Sequence, residues 1–428
     1  MAGLKAVVLA AGEGKRLRPL TATRPKHMIP IGGKPLLEHH LLALRDSGIK
    51  DVLLIVNYKA DQIKEYFGDG SKLGLRISYA YQMEIKGTAN AFSLAEDYVD
   101  GDFIATYGDL LINAEAVKPA LSLHLKEHPA VTVTTVEVEN PEQYAVVKLE
   151  QRRVVEIIEK PQPGSIISRQ ANAGVYVFSQ EIFDAIRQTG YSPRGEQEIT
   201  DSIRILIGRG EEVLAAKISF DDWLDVGRPW DILEANMRTL RKIKHEVLGE
   251  VEKGAYVRGP IFVDEDARIR SGAYIEGPAY IGGRSDIGPN CYIRPYTSIG
   301  RNVRVGNACE IKNSILMDHV HIGHLSYVGD SIIGEDCNLG AGTITANLRF
   351  DNRPVKMKIK GEVLNSGRRK MGVVMGDSVK TGIGSLFMPG VKVGYNSWIG
   401  PNVVVYRDVP SYTIIMLEQN IQKRESIG

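Results

Sequence analysis

The chain has 428 residues, room for two or three domains at about 150 residues each. Its 53 Lys+Arg against 52 Asp+Glu leave a net charge of +1, which argues against a surface built to clamp nucleic acid or an anionic membrane. A composition 43% hydrophobic and 25% charged excludes wholesale disorder, and no run reaches the ~18 apolar residues of a membrane span.

The first apolar stretch, Ala6 to Ala11, is short and runs into Gly-rich basic sequence, so it reads as a strand and not as a signal peptide. Further short apolar runs follow at Val52–Val56, Phe103–Tyr107 and Val131–Val136. They alternate with helical spacing at Leu36–Ser47 and Thr88–Tyr98. Strand–helix alternation implies an α/β sheet, largely parallel, with ligands at the carboxyl ends of its strands. Ile232, Ala235, Leu240, Ile243 and Val247 keep helical spacing and predict a connecting helix. The expected division is a first domain over 1–232, a linker helix over 233–252 and a second domain over 253–428.

The second domain has a different grammar. From Val257, every sixth residue to Met317 is apolar, eleven positions of eleven. For a fixed frame that run has a chance probability on the order of one in ten thousand. The frame slips near Gly323, resumes at Ile333 and Leu339, and returns from Met375 to Val405. A period of six predicts a parallel β-helix of hexapeptide repeats. Cys291 and Cys309 lie three hexads apart, so they are expected as small interior residues in adjacent layers, without a disulfide. Three cysteines, with Cys337, are too few for a disulfide framework, and a soluble, cytoplasmic protein is expected.

Directly after the first strand comes LAAGEGKRLRPLTATRPK, residues 9–26. It is neither a Walker A loop nor GxGxxG. Gly12 and Gly14 nevertheless let backbone N–H groups approach an anion, and Lys15, Arg16 and Lys26 can neutralise a triphosphate. This segment, followed in order by QMEIKGTANA, YGDLL, EKP, NAGVY and WLDVGRPW, resembles the signature of sugar-1-phosphate nucleotidylyltransferases, which implies a Rossmann-like domain.

In such enzymes a sugar-1-phosphate oxygen attacks the α-phosphorus of a nucleoside triphosphate and pyrophosphate leaves, so catalysis is positioning plus charge neutralisation. The resemblance implies that Gly12, Gly14 and Arg16 hold the triphosphate and that Lys26 stabilises the charge developing at phosphorus. It implies nucleotide binding by Gln82, Gly87, Thr88 and Tyr107. Glu159 and Asn172 are implied for sugar hydroxyls, and Lys160 for the sugar phosphate. Asp109 and Asp225 are implied as Mg²⁺ ligands, a role suited to carboxylates at two strand ends. Ala145 stands where the family usually has Gly, which bears on sugar choice. The RLRPLTATRPK stretch is more similar to glucose-1-phosphate thymidylyl- and uridylyltransferases, so UTP is expected with dTTP tolerated.

The hexapeptide half carries IRPY, EIKNS, GHLSYVGD and NLGAGTITAN, in that order. These resemble the acetyltransferase half of the bifunctional N-acetylglucosamine-1-phosphate uridyltransferase/glucosamine-1-phosphate acetyltransferase family, archaeal type. The resemblance implies a left-handed β-helix, acetyl-CoA as donor and a homotrimer. His324 would be the general base, in preference to a metal site with His319 and His321. Arg294 and Lys312 would hold the sugar phosphate, with Tyr327, Asn338 and Asn347 placing the amino sugar and acetyl group. Arg353, where bacterial relatives usually have Lys, and Lys356 would meet acetyl-CoA or the amino-sugar phosphate. Residues 354–370 form an insertion, read as a phosphate-contacting segment, a solvated hairpin or a lid. The competing expectation is a single-activity nucleotidylyltransferase whose β-helix is structural or regulatory.

Overall fold

The computed structural model describes residues 3–162 and 166–424, which fall into two compact units. The first comprises the chain up to Glu13, Arg24–Ile29 and Lys34–Val226. The second comprises Gly14–Thr23, Pro30–Gly33 and the chain from Gly227.

The first unit is built on a nine-stranded sheet. From one edge its order is Arg76–Tyr81, Asp51–Val56, Lys5–Ala10, Phe103–Tyr107, Gln170–Phe178, Val131–Glu137, Val213–Lys217, Arg153–Glu159 and Ala145–Glu150. The first four strands are parallel, but of the five neighbour pairings beyond them only Val131–Glu137 with Val213–Lys217 is parallel, so the sheet is mixed and not largely parallel as expected. The three inner runs are mostly apolar because both faces are covered, whereas the edge strand Arg76–Tyr81 leaves Arg76, Ser78 and Tyr81 exposed. Ala6, Val8 and Ala10 pack with Leu37, Leu41 and Leu44 of the helix Leu36–Asp46, while Val7 faces a second core with Ile182, Phe183, Ile203 and Leu206. Strand order reverses beside Lys5–Ala10, and ligands in open α/β sheets bind at such switch points. The helix expected over Thr88–Tyr98 stops at Ser93, and hydrogen-bonded turns carry the chain on to Val99.

In the second unit three sheets of eight, nine and eight strands each receive one strand per coil, a parallel β-helix. The stacked anchors Ile275, Ile293 and Ile311 pair layer on layer, and a single core cluster runs the length of the helix. Cys291, Cys309 and Cys337 are buried and unoxidised within it. The frame slips earlier than expected. Ile299 pairs with Leu316, so the corner after Ile311 is one residue short, and the corner after Val328 is short again, with Ile333 pairing to Leu316. Leu316 therefore takes the core position expected for Met317, which is buried but outside that cluster.

The connecting helix is observed at Pro229–Leu240, and by Glu246–Val247 the chain has begun to pair with Phe262–Val263 in the β-helix. Residues 356–365 form an antiparallel hairpin, Lys356–Ile359 with Glu362–Asn365. It is not simply solvated. Val355, Met357 and Ile359 are buried, and a Cβ on Gly390 would strike Val355 and Met357, while Lys356, Lys358 and Lys360 stay exposed. Among the described residues no helix is long and apolar enough to cross a membrane.

Candidate functional site

In the first unit the expected phosphate and metal residues gather where the strands Lys5–Ala10 and Phe103–Tyr107 end. Gly108 donates to Leu9 O at 2.9 Å, and a Cβ on Gly12 would lie 3.4 Å from the Lys26 side chain. Lys26 pairs with Asp109, both largely buried. The short ladder Leu110–Ile112 with Trp223–Asp225 sets Asp225 opposite Leu110, and Val226 N donates to Asp109 O at 3.1 Å. Asp109 and Asp225 thus flank one crossing point of the backbone. Burial is the largest influence on Asp109 and opposes its charge, but Lys26 together with His27 and a backbone hydrogen bond outweighs it and holds the carboxyl below its ordinary value.

Two histidines absent from the sequence reading stand beside this pair. His27 and His40 are fully buried. Burial, reinforced by Lys26, lowers His27 to about 3, while burial lowers His40 to about 4. Both are therefore neutral rings at pH 7. Below the ordinary value of 6.5 the unfolded chain takes up protons that the folded site refuses, so stability falls as pH drops from 6.5 toward 4 and 3. At pH 5 the loss is about 2 kcal/mol for each ring. Equilibrium unfolding at pH 7.5 and 5.0 measures it, and His40→Gln should remove about half of the drop. Equal stability at the two pH values would contradict the assignment.

Around this centre, Gln82 is buried at the end of the strand Arg76–Tyr81, its amide donating to Asn90 Oδ1 at 3.2 Å. Gly87 has φ 129°, and a Cβ there would meet Gln197 O at 2.3 Å, so glycine is required. Thr88 Oγ1 accepts from Ile199 N at 2.9 Å. The Tyr107 hydroxyl lies 3.1 Å from that of Tyr176, which accepts from Asn172 Nδ2 at 2.5 Å. One polar chain therefore joins an expected nucleotide residue to an expected sugar residue. Glu159 ends the strand Arg153–Glu159, opposite the buried Ala145, and burial raises its carboxyl against the pull of Arg194 at 3.2 Å. Lys160 follows with φ 44°, its N–H bound to Tyr144 O. Arg194, which also meets Glu198 at 2.7 Å, was not legible as a site residue because its partners lie far along the chain or in its own turn.

Gly14 and Arg16 belong to the second unit. Gly14 takes φ 71° at the start of a turn, and its carbonyl accepts from Thr21 Oγ1 at 2.9 Å. A Cβ on Gly227 would fall 2.8 Å from Arg16 Nη2, so the glycine of WLDVGRPW makes room for that guanidinium.

In the β-helix the three irregular corners of one edge stack, each between the third sheet and the first. Two are the short corners after Ile311 and Val328, and the third is the break after Thr345. Here Asp330, buried with φ 49°, collects three side chains. Lys312 Nζ lies 2.8 Å away, Asn347 Nδ2 donates at 2.6 Å and Asn313 Nδ2 at 2.7 Å. Asn347 also donates to Tyr327 Oη at 3.0 Å. A Cβ on Gly329 would collide with both Tyr327 and Asn347. On the same sheet Arg294 binds Glu310 at 2.8 Å, and Glu310 is the strand neighbour of Tyr327.

The remaining expected residues stand elsewhere in the chain. His324 is exposed and ends the strand His321–His324, before the strand Tyr327–Gly329, whereas Asp330 follows that strand at its far end. Asn338 is exposed on another sheet, paired with His321, and so is not gathered with Asn347. Arg353 is exposed beside the Arg349–Asp351 ion pair, and Lys356 opens the hairpin.

This fold and these two polar centres define a nucleotidyltransferase carrying a parallel β-helix. The Nucleotidyl transferase family model matches residues 5–242, and the GMPPB C-terminal domain model matches 275–387. The chain is 46% identical to the bifunctional protein GlmU of Methanocaldococcus jannaschii, over 96% of this chain and 97% of that protein. It is 42% identical to a bifunctional sugar-1-phosphate nucleotidylyltransferase/acetyltransferase of Sulfurisphaera tokodaii, over 95% of this chain and 98% of that one. A Bacillus anthracis structure assigned as a glucose-1-phosphate thymidylyltransferase superposes with a TM-score of 0.51 and 28% identity, over 57% of this chain and 98% of its own. The chain belongs to the family of bifunctional sugar-1-phosphate nucleotidylyltransferase/acetyltransferases.

Proposed function

We propose that the chain acetylates glucosamine-1-phosphate, or its galacto isomer, with acetyl-CoA and joins a UMP group from UTP to the product, with dTTP tolerated. In the first step the sugar amine attacks the thioester carbonyl, its proton passes to His324 and from there to the leaving sulfur as the C–S bond breaks, and CoA departs as the thiol. Arg294 and Lys312 hold the phosphate, while Tyr327, Asn338 and Asn347 orient the sugar and acetyl group. Arg353 and Lys356 meet the donor. In the second step the sugar phosphate oxygen attacks the α-phosphorus of the nucleotide and pyrophosphate departs. Gly12, Gly14 and Arg16 bind the triphosphate, Lys26 neutralises charge developing at phosphorus, and Gln82, Gly87, Thr88 and Tyr107 seat the nucleoside. Glu159, Lys160 and Asn172 hold the sugar.

Asp109 and Asp225 fit Mg²⁺, which takes one or two carboxylates and completes its shell with water and phosphate oxygens. Among the described residues no group of three or more His, Cys, Asp or Glu side chains forms a fuller cage, which suits a metal delivered with its nucleotide. When bound, Mg²⁺ withdraws charge from the phosphate oxygens.

The observation that carries the bifunctional reading is the corner around Asp330. A scaffold has no use for a desolvated lysine and two amides converging on one carboxylate, because burying such groups costs free energy that apolar packing would avoid. The separation of His324 from that corner within one chain supports a homotrimer in which neighbouring copies complete each site. Purified protein with glucosamine-1-phosphate and acetyl-CoA should release free thiol only when the sugar is present. No release with either amino-sugar phosphate, with pyrophosphate still formed from UTP and N-acetylglucosamine-1-phosphate, would favour the scaffold alternative.

A further inference from the structure

The loop that carries the proposed phosphate-binding residues is divided between the two units. Gly14–Thr23 and Pro30–Gly33 pack with the β-helix unit, and only Arg24–Ile29, with Lys26 inside it, packs with the first unit. Each excursion is fastened by a specific polar contact. At the end of the first, Thr23 Oγ1 donates to Asp377 Oδ2 at 2.6 Å. The other oxygen of Asp377 accepts from Glu335 N at 2.9 Å, so the carboxylate is itself fixed in a β-helix corner. In the second, Gly32 N donates to Asn236 Oδ1 at 2.9 Å. Asn236 is fully buried, accepts from Ser298 Oγ at 2.6 Å and donates to Tyr296 O at 2.9 Å. Gly33, with φ 89°, lies flat on Tyr280, where a Cβ would come within 2.2 Å of the ring.

We propose that Thr23 and Asp377, with Asn236 as the second anchor, are positioning residues for nucleotidyl transfer, fixing the backbone that presents Arg16 and Lys26. The segment between the anchors can transmit their position. Pro25 precedes a tight turn in which Met28 N binds Pro25 O at 2.9 Å and Ile29 N binds Lys26 O at 3.2 Å, so few soft dihedrals intervene. A charge-assisted hydrogen bond such as Thr23–Asp377 is stronger than a neutral one. Misplacing a catalytic group by about 1 Å costs up to roughly a hundredfold in rate, so even a partial loosening is measurable.

The inference rests on the nucleotidyl-transfer reading above. Its test uses the full-length protein and pyrophosphate release from UTP and N-acetylglucosamine-1-phosphate. Thr23→Val keeps the shape and removes the donor. It should lower kcat about tenfold with little change in KM for UTP. Thr23→Ser should restore kcat, Asp377→Ala should match Thr23→Val, and the double variant should be no slower than either single one. Thiol release in the acetyl-transfer assay and, for Thr23→Val, the melting temperature should stay at wild-type values, which a merely structural role would not combine with a kcat loss; Asp377→Ala also strips Glu335 N of its acceptor, so its melting temperature is not a criterion. Wild-type kcat in both single variants overturns the inference while leaving the function intact. A kcat loss that Ser does not restore, or that follows a lowered melting temperature, also overturns it. If wild-type protein forms no pyrophosphate, the functional reading fails first and the positioning role with it.

Discussion

Asp109→Asn is expected to slow pyrophosphate release by at least about a thousandfold while thiol release from acetyl-CoA stays at the wild-type rate. The carboxylate is the partner of Lys26, and both side chains are less than one-fifth exposed. An amide in its place can neither help hold Mg²⁺ nor neutralise the lysine, which would remain desolvated. Breaking a buried pair in this way costs about 3–5 kcal/mol, so the melting transition of the first unit should fall as well. The sign with pH follows from the lowered carboxyl: the pair stabilises the fold above the ordinary carboxylate range and is lost as pH falls through it. Unchanged pyrophosphate release by the Asn protein would remove Asp109 from the reaction. Loss of both activities in folded protein would show that the two sites are not independent.

His324→Ala should do the reverse. A positioned general base contributes typically 10²–10⁴-fold, so thiol release should fall by about that factor while pyrophosphate release is kept. The exposed ring lies at a strand end away from the Lys312–Asp330–Asn347 corner, so removing it should leave the melting temperature unchanged. The separation allows a sharper form of the experiment. His324→Ala and Lys312→Ala chains, each inactive in acetyl transfer alone, should recover activity when co-expressed if copies assemble as proposed, because a mixed assembly would then contain interfaces with both intact residues. A His324→Ala protein that acetylates at the wild-type rate would dismiss the histidine as the base.

The architecture was largely legible. Apolar runs buried on both faces announced four strands of the nine-stranded sheet to within a residue or so, and a period of six announced the β-helix. Thr88–Tyr98 and 233–252 were read as longer helices than the structure holds, because apolar spacing continues past the point where the hydrogen-bonded helix stops. The candidate residues of the first unit were legible as motifs, but their support was not. His27 sits in a segment whose pattern gives no hint of burial, His40 shares the apolar helix face of Leu37, Leu41 and Leu44, a signal that was available, and Arg194 finds Glu159 across the fold. The corner around Asp330 shows the limit most plainly. Lys312, Tyr327 and Asn347 came from resemblance, whereas Asp330 and Asn313 went unnoticed because the frame break was placed near Gly323. Spacings of five from Ile311 to Leu316 and from Val328 to Ile333 were the available signal, and they bracket those two residues.

Those spacings say something about how such a chain can change. Layers of the β-helix are kept in step by strand pairing, so the ladder counts strands and is indifferent to the number of residues between them. The edge that is one residue short in two successive coils takes thirty residues to pass from Thr345 to Met375 in the next, yet the strands beyond continue to stack. Insertions and deletions at that edge are therefore local edits, confined to one line along the molecule. New chemistry can be written there, or erased, without disturbing the register above or below it.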